Sequence, residues 1–153
     1  MSTYDRAKSE YFRTKVTTAS QEELHLMLYD GAIRFVEDAR QAMTEKRLED
    51  AHTALVRAQN IILEFSSSLN HEVNPELCGK MASLYNFIYR RLVEGNLNHD
   101  ASALDDALRI LEYQRETWSM LMTKLTQELK ADSAAKAESS ENENAVPSLS
   151  ISA

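Results

Sequence analysis

A glutamate three residues ahead of a histidine puts both side chains on one helix face, the arrangement by which helical bundles hold paired metal ions. The sequence contains two such spacings, Glu22 with His25 and Glu49 with His52. Neither completes a centre. The apolar stripe around Leu55 and Ile62 leaves Glu49 pointing away from an interior, and Glu76, Glu94, Glu112 and Glu116 fall off the leucine stripes of their own segments. No metal is expected. Ala51-His52-Thr53 has a superficial likeness to the motif of histidine phosphotransfer bundles, which shelter the phosphoryl group with a nearby Lys and a Gly just beyond. Leu55 and Val56 stand in those places, so phosphotransfer on His52 is the alternative reading and not the favoured one. The serines sit in helix caps, in Ser66-Ser67-Ser68 and near the C-terminus, with no His base and carboxylate converging on them as a nucleophilic triad requires. Cys78, the single cysteine, permits neither an internal disulfide nor a CxxC zinc site and reads as a small buried hydrophobe. Gly31, Gly79 and Gly95 lie too far apart for a GxGxxG or GxxxxGK phosphate loop. Neither catalysis nor a cofactor is expected. Arg90-Arg91 could grip a partner carboxylate, or be solvated and pair with Glu94.

The elements that would position these residues follow from the scarcity of chain breakers. The 153 residues include 3 glycines and 2 prolines, whereas a β-sandwich needs a turn every ~8–12 residues. Few turns mean long helices. The net charge of −7 has the wrong sign for a nucleic-acid or anionic-membrane surface. No apolar run approaches the ~18 residues of a membrane span, and the N-terminus lacks the apolar stretch of a signal peptide. A soluble cytoplasmic protein is expected.

Four helices are predicted between Ser20 and Ala131. The first opens at a Ser20-Gln21-Glu22-Glu23 capping box and runs to about Glu45. The second, Leu48 to Leu69, places Leu48, Ala51, Leu55, Ala58, Ile62, Phe65 and Leu69 on one stripe. The third starts at Asn74-Pro75, carries Leu77, Met81, Leu84, Tyr85, Ile88 and Leu92, and is expected to stop at Gly95 in a left-handed cap. The fourth starts near Asp100 or Ser102 and carries Leu104, Leu108, Leu111, Trp118, Leu121, Leu125 and Leu129. Short connections make neighbours antiparallel, so the fold class is all-α: an up-down four-helix bundle over residues 20–131. Residues 1–19, with Tyr4, Tyr11, Phe12 and Val16 among charges, read as an arm packed on the bundle. Residues 132–153 exchange large apolar residues for Ala, Ser, Glu and Asn and read as a disordered acidic tail, with Val146-Pro147-Ser148-Leu149-Ser150-Ile151 as its mildly apolar end.

The first bundle helix has more apolar surface than a corner position needs. One arc holds Leu24, Leu28, Ala32, Phe35, Ala39 and Ala42, and a second, rotated by roughly a right angle or more, holds Leu26, Tyr29, Ile33, Val36 and Met43. The excess must be covered by central packing, by the arm, by a partner helix or by another copy of the chain. The sequence leaves those covers open, weak homo-oligomerisation among them.

Several stretches together point to a family. Thr18-Ala19-Ser20-Gln21-Glu22-Glu23-Leu24, then Leu26-Met27-Leu28-Tyr29-Asp30-Gly31-Ala32, then Arg57-Ala58-Gln59-Asn60-Ile61-Ile62, then Leu84-Tyr85, then Tyr89-Arg90-Arg91-Leu92-Val93-Glu94-Gly95-Asn96 with Asp100, and Trp118 stand in collinear order. From about Tyr11 to Leu125 the chain resembles the bacterial flagellar secretion chaperones that bind flagellin. Gln21 and Asn86 depart from the proline and aspartate common there, and the tail is longer than usual. The resemblance implies a cytosolic all-α protein, without reaction or cofactor, that holds the C-terminal helical segment of flagellin. It further implies prevention of premature polymerisation and delivery to the flagellar type III export gate. On this reading Leu26, Tyr29, Ile33 and Val36 shield the partner, and Tyr11 and Phe12 form a displaceable lid. Asn60, Ile61, Tyr85, Tyr89 and Arg90 join the partner-binding set through the matched motifs, although core packing would equally account for Ile61 and Tyr85.

Overall fold

The computed structural model describes residues 2–145. Five helices follow one another: α1 (Thr3–Thr18), α2 (Gln21–Thr44), α3 (Leu48–Ser67), α4 (Pro75–Asn98) and α5 (Ala101–Ala145). Side chains that accept from otherwise orphaned amides set the starts. The Ser20 hydroxyl accepts from the Glu23 N–H at 3.1 Å. The Asn74 amide oxygen accepts from the Leu77 N–H at 3.2 Å, with Pro75 at the first helical position. The Asp100 carboxylate accepts from the Ser102 N–H at 2.9 Å.

Two compact units divide the chain, Met1–Glu116 and Thr117–Ala153. Within the first, pairings across neighbouring helices run in opposite directions. Between α2 and α3, Tyr29 meets Phe65 while Phe35 meets Arg57. Between α3 and α4, Phe65 meets Tyr85 while His52 meets Asn96. Between α4 and α5, Gly95 meets Leu104 while Arg91 pairs with Asp106. The ring closes between α5 and α2, where Arg115 pairs with Asp30 at 2.6 Å and Arg40 with Asp105 at 2.7 Å. Each neighbour is antiparallel, as an up-down four-helix bundle requires. Its core takes Tyr29, Val36, Leu55, Ile62, Phe65, Tyr85, Ile88, Leu92, Leu104 and Leu111, with alanines between them.

Four expectations change. The arm is a helix, α1, and none of its residues is buried; Tyr11 and Phe12 are 70% and 54% exposed, so they form no closed lid. Charges on every side of α1 leave it too little contiguous apolar surface to bury. The third predicted helix does not stop at Gly95 but runs to Asn98, where His99 takes the left-handed conformation and the Asp100 N–H reaches back to the Gly95 carbonyl. The stretch from Asp132 is helical to Ala145 instead of disordered. Its alanines and glutamates are strong helix formers and no Gly or Pro interrupts them before Pro147, so propensity extends the helix where no core is available. The apolar end Val146 to Ile151 lies outside the described residues. In the second unit Trp118 and Met122 are half-buried, whereas Leu121, Leu125 and Leu129, expected on a core stripe, are exposed.

The end of α2 is closed by Lys46 at φ 60°. The Lys46 N–H donates to the Met43 carbonyl and the Arg47 N–H to the Ala42 carbonyl, the paired bonds of a Schellman turn. A side chain in the left-handed region is strained, so Lys46→Gly should stabilise the protein by about 0.5–1 kcal/mol. A urea midpoint that fails to rise would count against this cap geometry.

Candidate functional site

The buried line of α2 runs through Tyr29, Ala32, Val36, Ala39 and Ala42, between the two arcs that the sequence separates. Its three alanines are buried, and larger side chains flank the line on both sides. Tyr29 and Val36, assigned by sequence to the partner, are therefore core residues at 1% and 0% exposure, and so is Tyr85 at 1%. The other residues of that set do not form one patch. Leu26 and Ile33 are half-buried on the flank of α2 whose Asp30 and Arg40 pair with α5. Ile61 is half-buried beside Gly31, Asn60 is exposed on α3, and on α4 Tyr89 is half-buried and Arg90 exposed.

Tyr29 and Tyr85 join their hydroxyls across the core at 3.0 Å. Burial pushes both phenols above their ordinary pKa, so both stay protonated at neutral pH. Phe65 lies against both rings, and the His25 ring packs on Tyr29 and Phe65 with centroids 5.1 and 4.7 Å away. Burial lowers the His25 pKa below 6.5. The unfolded chain then takes up a proton that the folded protein rejects. Stability is thus full above about pH 6.5 and falls as the pH drops from there towards the depressed folded value. His25→Phe should flatten that fall. The check is the urea midpoint of both proteins at pH 7.5 and pH 5.5; parallel losses would remove His25 as the cause.

Two grooves on the bundle carry exposed apolar side chains that the sequence reading left unassigned to a partner. Between α2 and α3, Gly31 faces Ile61 and the half-buried Phe35 faces Arg57, with Leu28 one turn before Gly31 on the same side of α2. Leu28 is 36% exposed there, and the Arg57 guanidinium carbon lies 5.8 Å from the Phe35 ring centre. A cavity of ≈ 330 Å³ continues the groove, lined by Phe35, Asp38, Arg47, Asp50, Thr53 and Arg57 among others. Between α4 and α5, Phe87 and Ile110 with Asp106 and Arg109 line a cavity of ≈ 260 Å³. Leu24, Leu28 and Phe35 share an arc with Ala32 and Ala39, and the sequence names none of that arc as partner-binding. Helical periodicity gives the width of an apolar arc but not which part of it neighbouring helices cover.

The Glu49–His52 spacing produces no inward-facing pair. His52 is exposed, and its Nδ1 is hydrogen-bonded to the Asn96 side chain of α4. Among the described residues no three His, Cys, Asp or Glu side chains group as metal ligands. No described helix is long and apolar enough to cross a membrane.

Comparison with known proteins agrees with this fold. The family described as "Flagellar protein FliS" matches residues 3–125. The flagellar secretion chaperone FliS of Bacillus subtilis (strain 168) is 36% identical over 108 residues, covering 71% of this chain and 80% of the relative. The protein of the same name from Escherichia coli (strain K12) is 31% identical over 116 residues, covering 74% of this chain and 85% of the relative. A solved structure described as a flagellar chaperone from bacteria superimposes with a TM-score of 0.64 over 78% of this chain and 97% of its own, at 15% identity. That last likeness concerns the fold. Together, a family match spanning the arm and the bundle and two relatives above 30% identity establish that the chain belongs to the flagellar protein FliS family.

Proposed function

We propose that this protein is a cytoplasmic flagellar export chaperone. It binds the C-terminal helical segment of flagellin, keeps the subunit from polymerising prematurely and hands it to the flagellar type III export apparatus. The observation that carries this reading is the family match over residues 3–125, most of the arm and bundle. The bundle supplies the physical means. Leu28, Leu63, Leu77, Leu84 and Phe87 remain exposed on it at 36–52%, on more than one helix. A partner that covers such dispersed positions must be long and adaptable, as an amphipathic segment that orders on binding is. Coupled ordering buries roughly 1,000–3,000 Å² at a cost of about 2–5 kcal/mol, which allows tight binding that still releases. No bond is made or broken, and no cofactor is needed.

The partner-facing residues are those of the predicted set that solvent reaches: Leu26, Ile33, Asn60, Ile61, Tyr89 and Arg90. Tyr11 and Phe12 are exposed on α1 and so are free to contact the partner directly. Calorimetric titration of the full chain with the C-terminal segment of the flagellin from the same bacterium should give saturable one-to-one binding. No heat and no complex on size-exclusion chromatography would sink the reading. Removing residues 2–12 should weaken the complex, because those aromatics contribute contacts; a strengthened complex would mean that they compete as a lid instead.

A further inference from the structure

The α2/α3 groove has one position without a side chain and one cation without a carboxylate, a single helical turn apart. Gly31 is half-buried in mid-helix. The atom nearest to where its Cβ would stand is Ile61 Cδ1 at 3.7 Å, so the absent side chain leaves a shallow notch floored by Ile61. Close packing does not demand glycine there, and in mid-helix glycine costs up to ~1 kcal/mol against alanine. Leu28 and Phe35 wall the notch along α2, one turn to either side. One turn from Ile61 on α3, Arg57 holds its guanidinium over Phe35. Neighbouring Arg47 is engaged by Glu45 and Asp50, whereas among the described residues Arg57 has no carboxylate in ion-pair range.

We propose that the α2/α3 groove binds the partner's amphipathic segment in one register, with an apolar side chain seated over Gly31 and a carboxylate of the segment on Arg57. This rests on the chaperone reading and gives the chemistry of the segment it would hold. An apolar stripe by itself can slide along a groove, because dispersion and apolar burial have little directionality. A cation clamped on an aromatic ring fixes a point on it, and a guanidinium takes a carboxylate with both oxygens. The chain as a whole is at −7, so an incoming acidic residue is repelled over most of the surface and attracted at this place. Asp38 and Asp50 line the same cavity; Asp50 is paired with Arg47, which leaves Asp38 as the opposing charge there without an ion pair among the described residues. The bound segment therefore carries an Asp or Glu about one helical turn from the residue that fills the notch.

The test uses the full chain and the labelled C-terminal segment of the same bacterium's flagellin, titrated by fluorescence anisotropy. Arg57→Ala should weaken binding by about 5- to 10-fold and Arg57→Glu by more. Asp38→Asn should tighten it, and the salt dependence of the wild type should flatten in Arg57→Ala. Gly31→Leu should block the notch and abolish measurable binding, while Gly31→Ala, whose added methyl meets Ile61 at ordinary contact distance, binds like the wild type. Cooperative melts with midpoints at or above the wild type show that the variants fold, since replacing Gly31 raises helix propensity and Arg57 is exposed. In the segment, exchanging one particular Asp or Glu for Lys should restore affinity to Arg57→Glu. Wild-type affinity in Arg57→Ala, Arg57→Glu and Gly31→Leu alike would overturn the proposal and leave the chaperone reading standing. A segment that binds no form of the protein, wild type included, would overturn that reading as well.

Discussion

Replacing Gly95 with alanine should destabilise the protein by about 1–3 kcal/mol, although helix propensity taken alone predicts a gain of ~1 kcal/mol. Gly95 is buried inside α4, and a Cβ there would stand 2.6 Å from Leu104 Cδ2, 3.2 Å from Leu104 Cγ and 3.3 Å from the Asp100 carbonyl oxygen. Leu104 is fully buried, so a shift of its side chain would have to displace other core side chains. A double-mutant cycle identifies the clash. Leu104→Ala alone should cost about 2–5 kcal/mol through the cavity it opens. In that background Gly95→Ala should become close to neutral or favourable, because the obstructing methyl is gone and the new one fills part of the void. Additive urea-melt energies would show that α4 and α5 do not meet through this pair. Gly79→Ala is the internal control: nothing lies within 4 Å of the Cβ it would add, so stability should rise.

Removing either hydroxyl of the Tyr29–Tyr85 pair should cost about 1–3 kcal/mol, because the remaining one is left in the core without its 3.0 Å partner. Tyr29→Phe and Tyr85→Phe together should cost much less than the two single losses combined, since two apolar rings replace a satisfied pair and strand no polar group. This cycle also separates core from partner-binding roles. If the single variants melt like the wild type but lose flagellin-segment affinity, the tyrosines act at a surface. The expected result is the reverse: lowered melting, with affinity kept under conditions where the variants are folded.

For the four bundle helices, element type, order and starts were legible from the sequence because their causes are local, whereas the helical arm and the helical stretch beyond Asp132 were not. Ser20 and Asn74 cap the helices that follow them, Pro75 opens α4, and the stripe through Ala51, Leu55, Ala58, Ile62 and Phe65 is the buried face of α3. Helix ends were less legible. Lys46 and His99 take left-handed conformations in which glycine is the usual signal, and Gly95, the residue that looked like a stop, serves a close approach between helices.

The candidate site was legible only in part, for a related reason. On α2 the sequence showed that apolar residues occupy more than one face. It could not show which of them the neighbours cover, because that depends on where α3 and α5 lie around α2. Tyr29 and Val36, read as partner-binding, went inside, and Leu28, on the arc left without a partner role, stayed out. The resemblance of the motifs, by contrast, was carried by residue identity at collinear positions and needed no coordinates. What the sequence by itself determined is an all-helical chain of a recognisable family, since capping, periodicity and motif identity are encoded within short stretches. Which side chains are core, which remain exposed, and that Arg57 stands over Phe35 one turn from the notch at Gly31 were decided by tertiary structure alone, because each depends on a helix distant in sequence being brought alongside.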